Sequence, residues 1–203
     1  PAEMKFTDAF ILDYGCGNFT SLRAWLKSRQ LSTWLIQSNN DFDQLNESSL
    51  LILPGVGHFG RAMSVLEENK MFDRLKSLKG LIPTLGICLG AQLMFEGSSE
   101  APNFPGLAWM KGECSHLPAH QSPRLGWYSC RSSSASLLHQ NEFSSLDGYF
   151  YFNHCYRMPI NESMASSLYS VSDNCLSSFL LSDKVMGVQF HPERSQNKGK
   201  LFL

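Results

Sequence analysis

Two short stretches carry the residues that could do chemistry. In residues 81 to 96, LIPTLGICLGAQLMFE, Cys88 stands between Gly86 and Gly90 with one residue on each side. This is the G-x-nucleophile-x-G spacing, in which small neighbours let the chain bend sharply between a strand and a helix and push the nucleophile clear of the sheet. An ordinary cysteine, with a pKa of about 8.5, is only about 3% thiolate at pH 7. A helix N-terminus favours the anion through its unpaired N–H groups and dipole, and a nearby imidazolium favours it further. The same N–H groups can hold an oxyanion. In the second stretch, His191-Pro192-Glu193 follows the apolar run VMGVQF of residues 185 to 190. A histidine at a strand end can take a thiol proton, and Glu193, two residues on, can hold the imidazole in the right tautomer. Each stretch alone has a plainer reading, a buried structural cysteine for Cys88 and a structural strand end for His191. Together they describe a cysteine hydrolase.

For that chemistry the two stretches must end on the same edge of a sheet, and the periodicity supplies one. Residues 9 to 13, 32 to 37 and 49 to 54 read as short strands, and residues 20 to 29, 61 to 69 and 71 to 78 as amphipathic helices. The elbow strand and a helix through Leu89, Gln92, Leu93 and Glu96 follow. Strands alternating with helices imply right-handed crossovers and a parallel sheet covered on both faces, whose carboxyl edge collects reactive groups. Beyond Glu100, β-like pieces (GECSHL, GWYSC, YFYFNHCYRM, SSLYSV, CLSSFLL) alternate with polar turns and predict antiparallel additions, with residues 132 to 136 as a surface loop. A last helix is expected from about Ser195, cut short at Leu203. The expected fold is α/β, one domain over residues 1 to 203, with a mostly parallel open sheet flanked by helices and antiparallel additions in the C-terminal half.

Composition narrows the function. The 203 residues are 43% hydrophobic with a formal charge of −1, so there is room for one sizeable core and no basic footprint for nucleic acid or a membrane surface. No apolar run approaches the eighteen or so residues of a membrane span. The six cysteines lack C-x-x-C spacing, and no secretory signal precedes them, which points to a reducing cytoplasm. Gly15 and Gly17 lack the remainder of G-x-G-x-x-G and read as a tight turn rather than a phosphate loop. With no phosphate loop, metal cluster or nucleotide fingerprint, no cofactor or metal is expected.

Several stretches in order carry a family resemblance: PGVGHFG (54 to 60), GICLGAQLMFE (86 to 96), SSEA (98 to 101), YFNHCY (151 to 156) and GVQFHPERS (187 to 195). With these the chain resembles class I glutamine amidotransferases of flavodoxin-like fold. With DYGCGN (13 to 18) it most resembles the glutaminase subunits of imidazole glycerol phosphate synthase. The resemblance implies that Cys88 attacks the side-chain amide of L-glutamine, that His191 protonates the leaving ammonia and then activates water, and that Glu193 orients His191. It assigns the oxyanion to backbone N–H groups of Leu89 and Val56, in a loop whose Gly55 and Gly57 suit a flipping peptide because glycine tolerates positive φ. It also implies a glutamine site from Gln92 and Glu100 with backbone groups at Cys155 and Tyr156.

Ammonia is mostly protonated in water at pH 7, so a dry route to a second active site is useful, and this chain offers no such second site. In the resembling family the partner is a (β/α)8-barrel cyclase, faced by residues matching Asn18, Trp127, Tyr151 and Arg194. The plainer readings are core aromatics for Trp127 and Tyr151 and a surface charge for Arg194. The chain departs from the family's pattern in Arg194 for lysine, Arg124 for histidine, Tyr128 for asparagine and YFNHCY for YFVHSY. These departures keep open a related glutaminase subunit that supplies ammonia for amination of surface-polysaccharide sugars. A catalytically silent regulatory subunit and a cysteine hydrolase acting on peptides are the readings from other classes.

Overall fold

The computed structural model describes residues 6–15, 19–132, 147–160, 166–172, 174–182 and 184–199. Asn18, most of the loop expected at residues 132 to 136, and the last four residues lie outside them. Strands β1 (Asp8–Leu12), β2 (Ser32–Ile36), β3 (Ser49–Leu53) and β4 (Thr84–Ile87) alternate with helices α1 (Thr20–Ser28), α2 (Phe59–Glu68) and α3 (Phe72–Ser77). Helix α4 (Leu89–Gln92) follows β4, and then come β5 (Gly97–Ser98), β6 (Glu113–His116), β7 (Arg124–Ser132), β8 (Gly148–His154) and β9 (Tyr156–Arg157). Last are β10 (Ser166–Ser170), β11 (Leu176–Ser182), β12 (Val185–Val188) and α5 (Gln196–Gly199).

Among the described residues the main sheet has nine strands in the order β2-β1-β3-β4-β12-β11-β10-β7-β8. Its first half, through β12, is parallel, and from β11 onward every pairing is antiparallel. Every residue of β3 is buried, as a central parallel strand covered on both faces requires. Successive side chains go to opposite faces. Phe10, Leu12, Leu51 and Leu53 join the core under α2 and α3, whereas Ala9, Ile11, Leu50 and Ile52 join the core that holds Leu22, Trp25 and Leu26 of α1. The expected α/β fold with a parallel half and antiparallel additions is the one observed.

Two elements differ from expectation in ways that shape the site. Helix α4 is one turn long, where the spacing predicts a helix to Glu96. Leu93, Met94 and Phe95 are all fully buried, so the chain runs through the core there and has no solvent face on which an amphipathic helix could continue. The run YFYFNHCYRM, which reads as one strand, breaks at Cys155. β8 stays in the main sheet while β9 pairs with β6, in a second sheet of order β5-β6-β9. With strands as short as two residues, that small sheet leaves no periodicity to read.

Candidate active site

Strand β4 lies between β3 and β12, and β12 runs parallel to it with Gly187 opposite Gly86 and Val188 opposite Ile87. Residues just past the ends of these strands therefore share the carboxyl edge of the sheet. Cys88 is the first of them, and its N–H donates to the Val188 carbonyl at 2.7 Å. Its backbone has φ +49° and ψ −104°, a costly conformation for a side chain with a Cβ, held only where the surroundings fix it. They do so by close approach. A Cβ on Gly90 would stand 1.9 Å from the Leu53 carbonyl oxygen, and one on Gly86 2.8 Å from the backbone of Ala91.

Gly55 belongs to the same packing. A Cβ there would stand 2.0 Å from the Ile87 carbonyl oxygen and 2.9 Å from Cβ of Cys88. In this conformation positive φ is found at Gly57, at +130°. Gly55 is needed for clearance instead. The loop carrying them is fixed at both ends: the Tyr14 hydroxyl donates to the Pro54 carbonyl, and the Phe59 N–H at the start of α2 donates to Glu100 Oε2 at 2.8 Å.

His191 follows β12 and is fully buried. Its N–H donates to the Tyr151 carbonyl at 2.8 Å, and its carbonyl accepts from Ser195 Oγ at 2.6 Å. Ser195 Oγ in turn accepts from the Tyr151 N–H at 3.1 Å, so the backbone of His191 is clamped between β8 and the start of α5. Nδ1 lies 2.7 Å from Glu193 Oε1, which fixes the tautomer and leaves Nε2 for chemistry. The ring's other partner is Cys88. Burial works against the imidazolium, but the charge of and contact with the Cys88 sulfur, and then the hydrogen bond to and charge of Glu193, outweigh it and push the His191 pKa up to about 10. Nε2 makes no hydrogen bond in this structure, to Cys88 or to any other group. Catalytic hydrogen bonds are often long or poorly aligned before substrate binds.

Beside the sulfur opens a cavity of about 250 Å3. Gly55, Val56 and Gly57, Leu89 and Gln92, Glu100, and Cys155 and Tyr156 line it. These are the oxyanion and glutamine-site positions expected from the sequence, brought together from four segments. Leu89 is the first residue of α4, where an N–H has no intrahelical acceptor. Gln92 is held in place by donating from Nε2 to the Tyr156 carbonyl at 2.8 Å.

One residue here does not stand out in the sequence. Gln189, between β12 and His191, is buried, accepts from Gln92 Nε2 at 3.1 Å and donates to Cys88 Sγ at 3.6 Å. The signal for it is a lone amide in the apolar run VMGVQF, since a buried polar side chain requires partners.

On the other side of His191, the ring of Trp127, 45% exposed, meets Tyr151 edge-on with centroids 5.9 Å apart, and the Arg194 guanidinium stands 6.0 Å from the Tyr151 centroid. Trp127 is therefore a surface residue, against its plainer reading. Arg194 also lines a small cleft with Val56, His191 and Glu193. Two of the departures form one cluster: buried Arg124 lies 4.4 Å from the Tyr128 ring centroid and 5.1 Å from that of Phe152, and donates to Ser170 Oγ at 2.6 Å. A guanidinium stacked on an aromatic ring is a favourable pair. Among the described residues no group of histidine, cysteine and carboxylate side chains could hold a metal, and no helix is long and apolar enough to cross a membrane.

A family model described as "Glutamine amidotransferase class-I" matches residues 10–202. Among curated relatives, the "Imidazole glycerol phosphate synthase subunit HisH" of Prochlorococcus marinus (strain MIT 9211) is 37% identical over 202 residues, covering 97% of this chain and 92% of the relative. The protein of the same name from Aquifex aeolicus (strain VF5) is 36% identical over 201 residues, covering 95% and 92%. Of the solved structures, one described as a glutamine amidotransferase superposes with a TM-score of 0.72 at 14% identity, covering 94% of this chain and 93% of that one. PurLQS from Thermotoga maritima gives 0.69 at 18% identity, covering 97% and 96%. At these identities the superpositions speak for the fold alone.

Proposed function

The chain belongs to the class I glutamine amidotransferases, and from that membership we propose that it is the glutaminase subunit of an imidazole glycerol phosphate synthase. Its substrate is L-glutamine, and its 203 residues act as one cytoplasmic glutaminase domain. Cys88 attacks the side-chain amide carbon, and the carbonyl oxygen becomes an oxyanion held by the N–H groups of Leu89 and Val56. His191, carrying a proton, gives it to the departing nitrogen as the tetrahedral intermediate collapses to a γ-glutamyl thioester and ammonia. The neutral imidazole then takes a proton from water, which hydrolyses the thioester to glutamate and regenerates the thiol. Glu193 holds the ring throughout. Gln92 and Glu100, with backbone groups at Cys155 and Tyr156, bind the amino acid end of the substrate, because a carbonyl oxygen and a carboxylate suit an ammonium group.

The observation that carries this reading is the meeting of Cys88 and the His191–Glu193 pair beside a cavity walled by Gln92 and Glu100. A space of about 250 Å3 fits a free amino acid better than a polymer. The ammonia passes to a (β/α)8-barrel cyclase subunit, docked over the side where Trp127, Tyr151 and Arg194 lie, with Asn18 as a further contact. Losing one oxyanion donor costs about a hundred- to a thousandfold in rate, so a loop that presents Val56 only in the complex would keep the lone subunit nearly silent.

The test is glutamate release with and without the cyclase, for the wild type and Cys88→Ala. Activity appearing with the cyclase, its loss in Cys88→Ala, and survival of the cyclase reaction on added ammonium salts are expected. Full activity of the lone chain, or no response to the cyclase, overturns the partner assignment.

A further inference from the structure

Gln189 joins two parts of the site, the nucleophile and the wall of the cavity. It is 1% exposed, and its backbone N–H is committed to the Ser177 carbonyl at 2.8 Å. The orientation of its side-chain amide follows from its neighbours. Gln92 Nε2 already donates to the Tyr156 carbonyl at 2.8 Å and turns its second hydrogen to Gln189 Oε1 at 3.1 Å. Gln189 must therefore present its carbonyl to Gln92 and its NH2 to Cys88, where Nε2 lies 3.6 Å from Sγ. The reversed amide would set N–H against N–H on one side and a carbonyl oxygen against the sulfur on the other. Both hydrogens of Gln92 being taken, that residue offers the cavity only its carbonyl oxygen.

We propose that Gln189 is a positioning residue for the glutaminase reaction: its amide holds the Cys88 sulfur as a hydrogen-bond acceptor and ties it, through Gln92, to the Tyr156 segment that borders the substrate. The inference rests on the glutaminase reading. A sulfur that accepts a hydrogen bond is favoured as the thiolate, since a thiolate accepts far better than a thiol. The chain Tyr156, Gln92, Gln189, Cys88 also makes the geometry of the nucleophile depend on that of the binding wall. Any rearrangement that withdraws the Tyr156 carbonyl frees Gln92, lets Gln189 turn over and removes the donor from the sulfur.

The experiment is the pH dependence of Cys88 alkylation by iodoacetamide, read by peptide mass, in the wild type, Gln189→Met and Gln189→Glu. Methionine keeps the length and loses both hydrogen bonds; glutamate keeps an acceptor for Gln92 and replaces the donor with a charge. His191, backed by Glu193, acts on the sulfur, the Asn153 carbonyl lies 3.8 Å from it, and Glu100, His154, Cys155 and Tyr156 line the cavity beside it, but all three proteins share them, so a difference reports position 189. A hydrogen bond to a charged group is worth about a tenfold change or more. The alkylation midpoint is therefore expected to rise by about one pH unit in Gln189→Met and further in Gln189→Glu. Fully buried Cys114, unreactive while the fold holds, is the internal control, and should one variant expose it the other decides. A variant with Cys114 protected and a wild-type midpoint at Cys88 overturns the proposal. Alkylation needs no glutamine, so a wild type without glutaminase activity would be a separate failure, of the underlying reading.

Discussion

His191 is where charge and burial oppose each other most directly. A buried imidazole ordinarily loses its proton, yet the Cys88 sulfur and Glu193 together keep this one protonated, with the pKa raised from 6.5 to about 10. A raised histidine pKa stabilises the fold while the ring is charged. That contribution is full below pH 6.5 and is lost as the pH rises through about 10. Glutaminase activity that depends on the imidazolium should accordingly hold above pH 7 and fall on the alkaline side. Glu193→Gln removes a group that raises this pKa, so the alkaline fall should move to lower pH, and kcat should drop about tenfold or more as the ring loses its fixed tautomer. Profiles of kcat/KM against pH check the shift, since they report the free enzyme's groups, and kcat of the two proteins checks the loss in rate. An unmoved alkaline limb would mean that Glu193 does not set the charge on His191. At this scale the sequence is informative about residue types. Cys88, His191 and Glu193 stand out by spacing, whereas Gln189 does not, because a single amide in an apolar run says nothing of which partners it meets.

The elbow is a property of elements in contact. The unusual backbone of Cys88 persists because β3, β4 and α4 approach so closely that Gly86, Gly90 and Gly55 have no room for a Cβ. Gly90→Ala, whose new methyl would stand 1.9 Å from the Leu53 carbonyl, should cost more than about 2 kcal/mol. That lowers the melting temperature by some 5 °C or more, with loss of activity beyond the loss of folded protein. Gly80, with φ +70° and open space around it, separates packing from backbone strain. Gly80→Ala should cost about 1 kcal/mol and leave kcat unchanged. Thermal melts and kcat of the folded fraction distinguish the two sites. Strand and helix order through the parallel half is legible in the sequence, because apolar runs and turn residues report local periodicity. The brevity of α4 and the break at Cys155 are not, since both follow from which residues the rest of the fold buries. That break turns Cys155 and Tyr156 into the cavity.

At the scale of the molecule, the reading requires a face for a second subunit. Exposed Trp127 and Arg194 stand on either side of half-buried Tyr151, and Arg194 lines a cleft with Val56 and His191. Aromatic and arginine side chains are the usual anchors of interfaces. Trp127→Ala should leave the melting temperature within about 2 °C of the wild type, as surface changes do, while weakening the complex with the cyclase about thirtyfold. Calorimetric titration measures it. The partner is legible only through resemblance, because composition and charge describe one chain and not what it docks against. The whole account depends on Cys88 being the nucleophile of a pocket that reads glutamine. The most direct measurement is peptide mapping after exposure, with the cyclase present, to a diazoketone analogue of glutamine. The account predicts label on Cys88 alone, prevented by excess L-glutamine. Inactivation with the label on another residue, or labelling of Cys88 that L-glutamine does not slow, would contradict it.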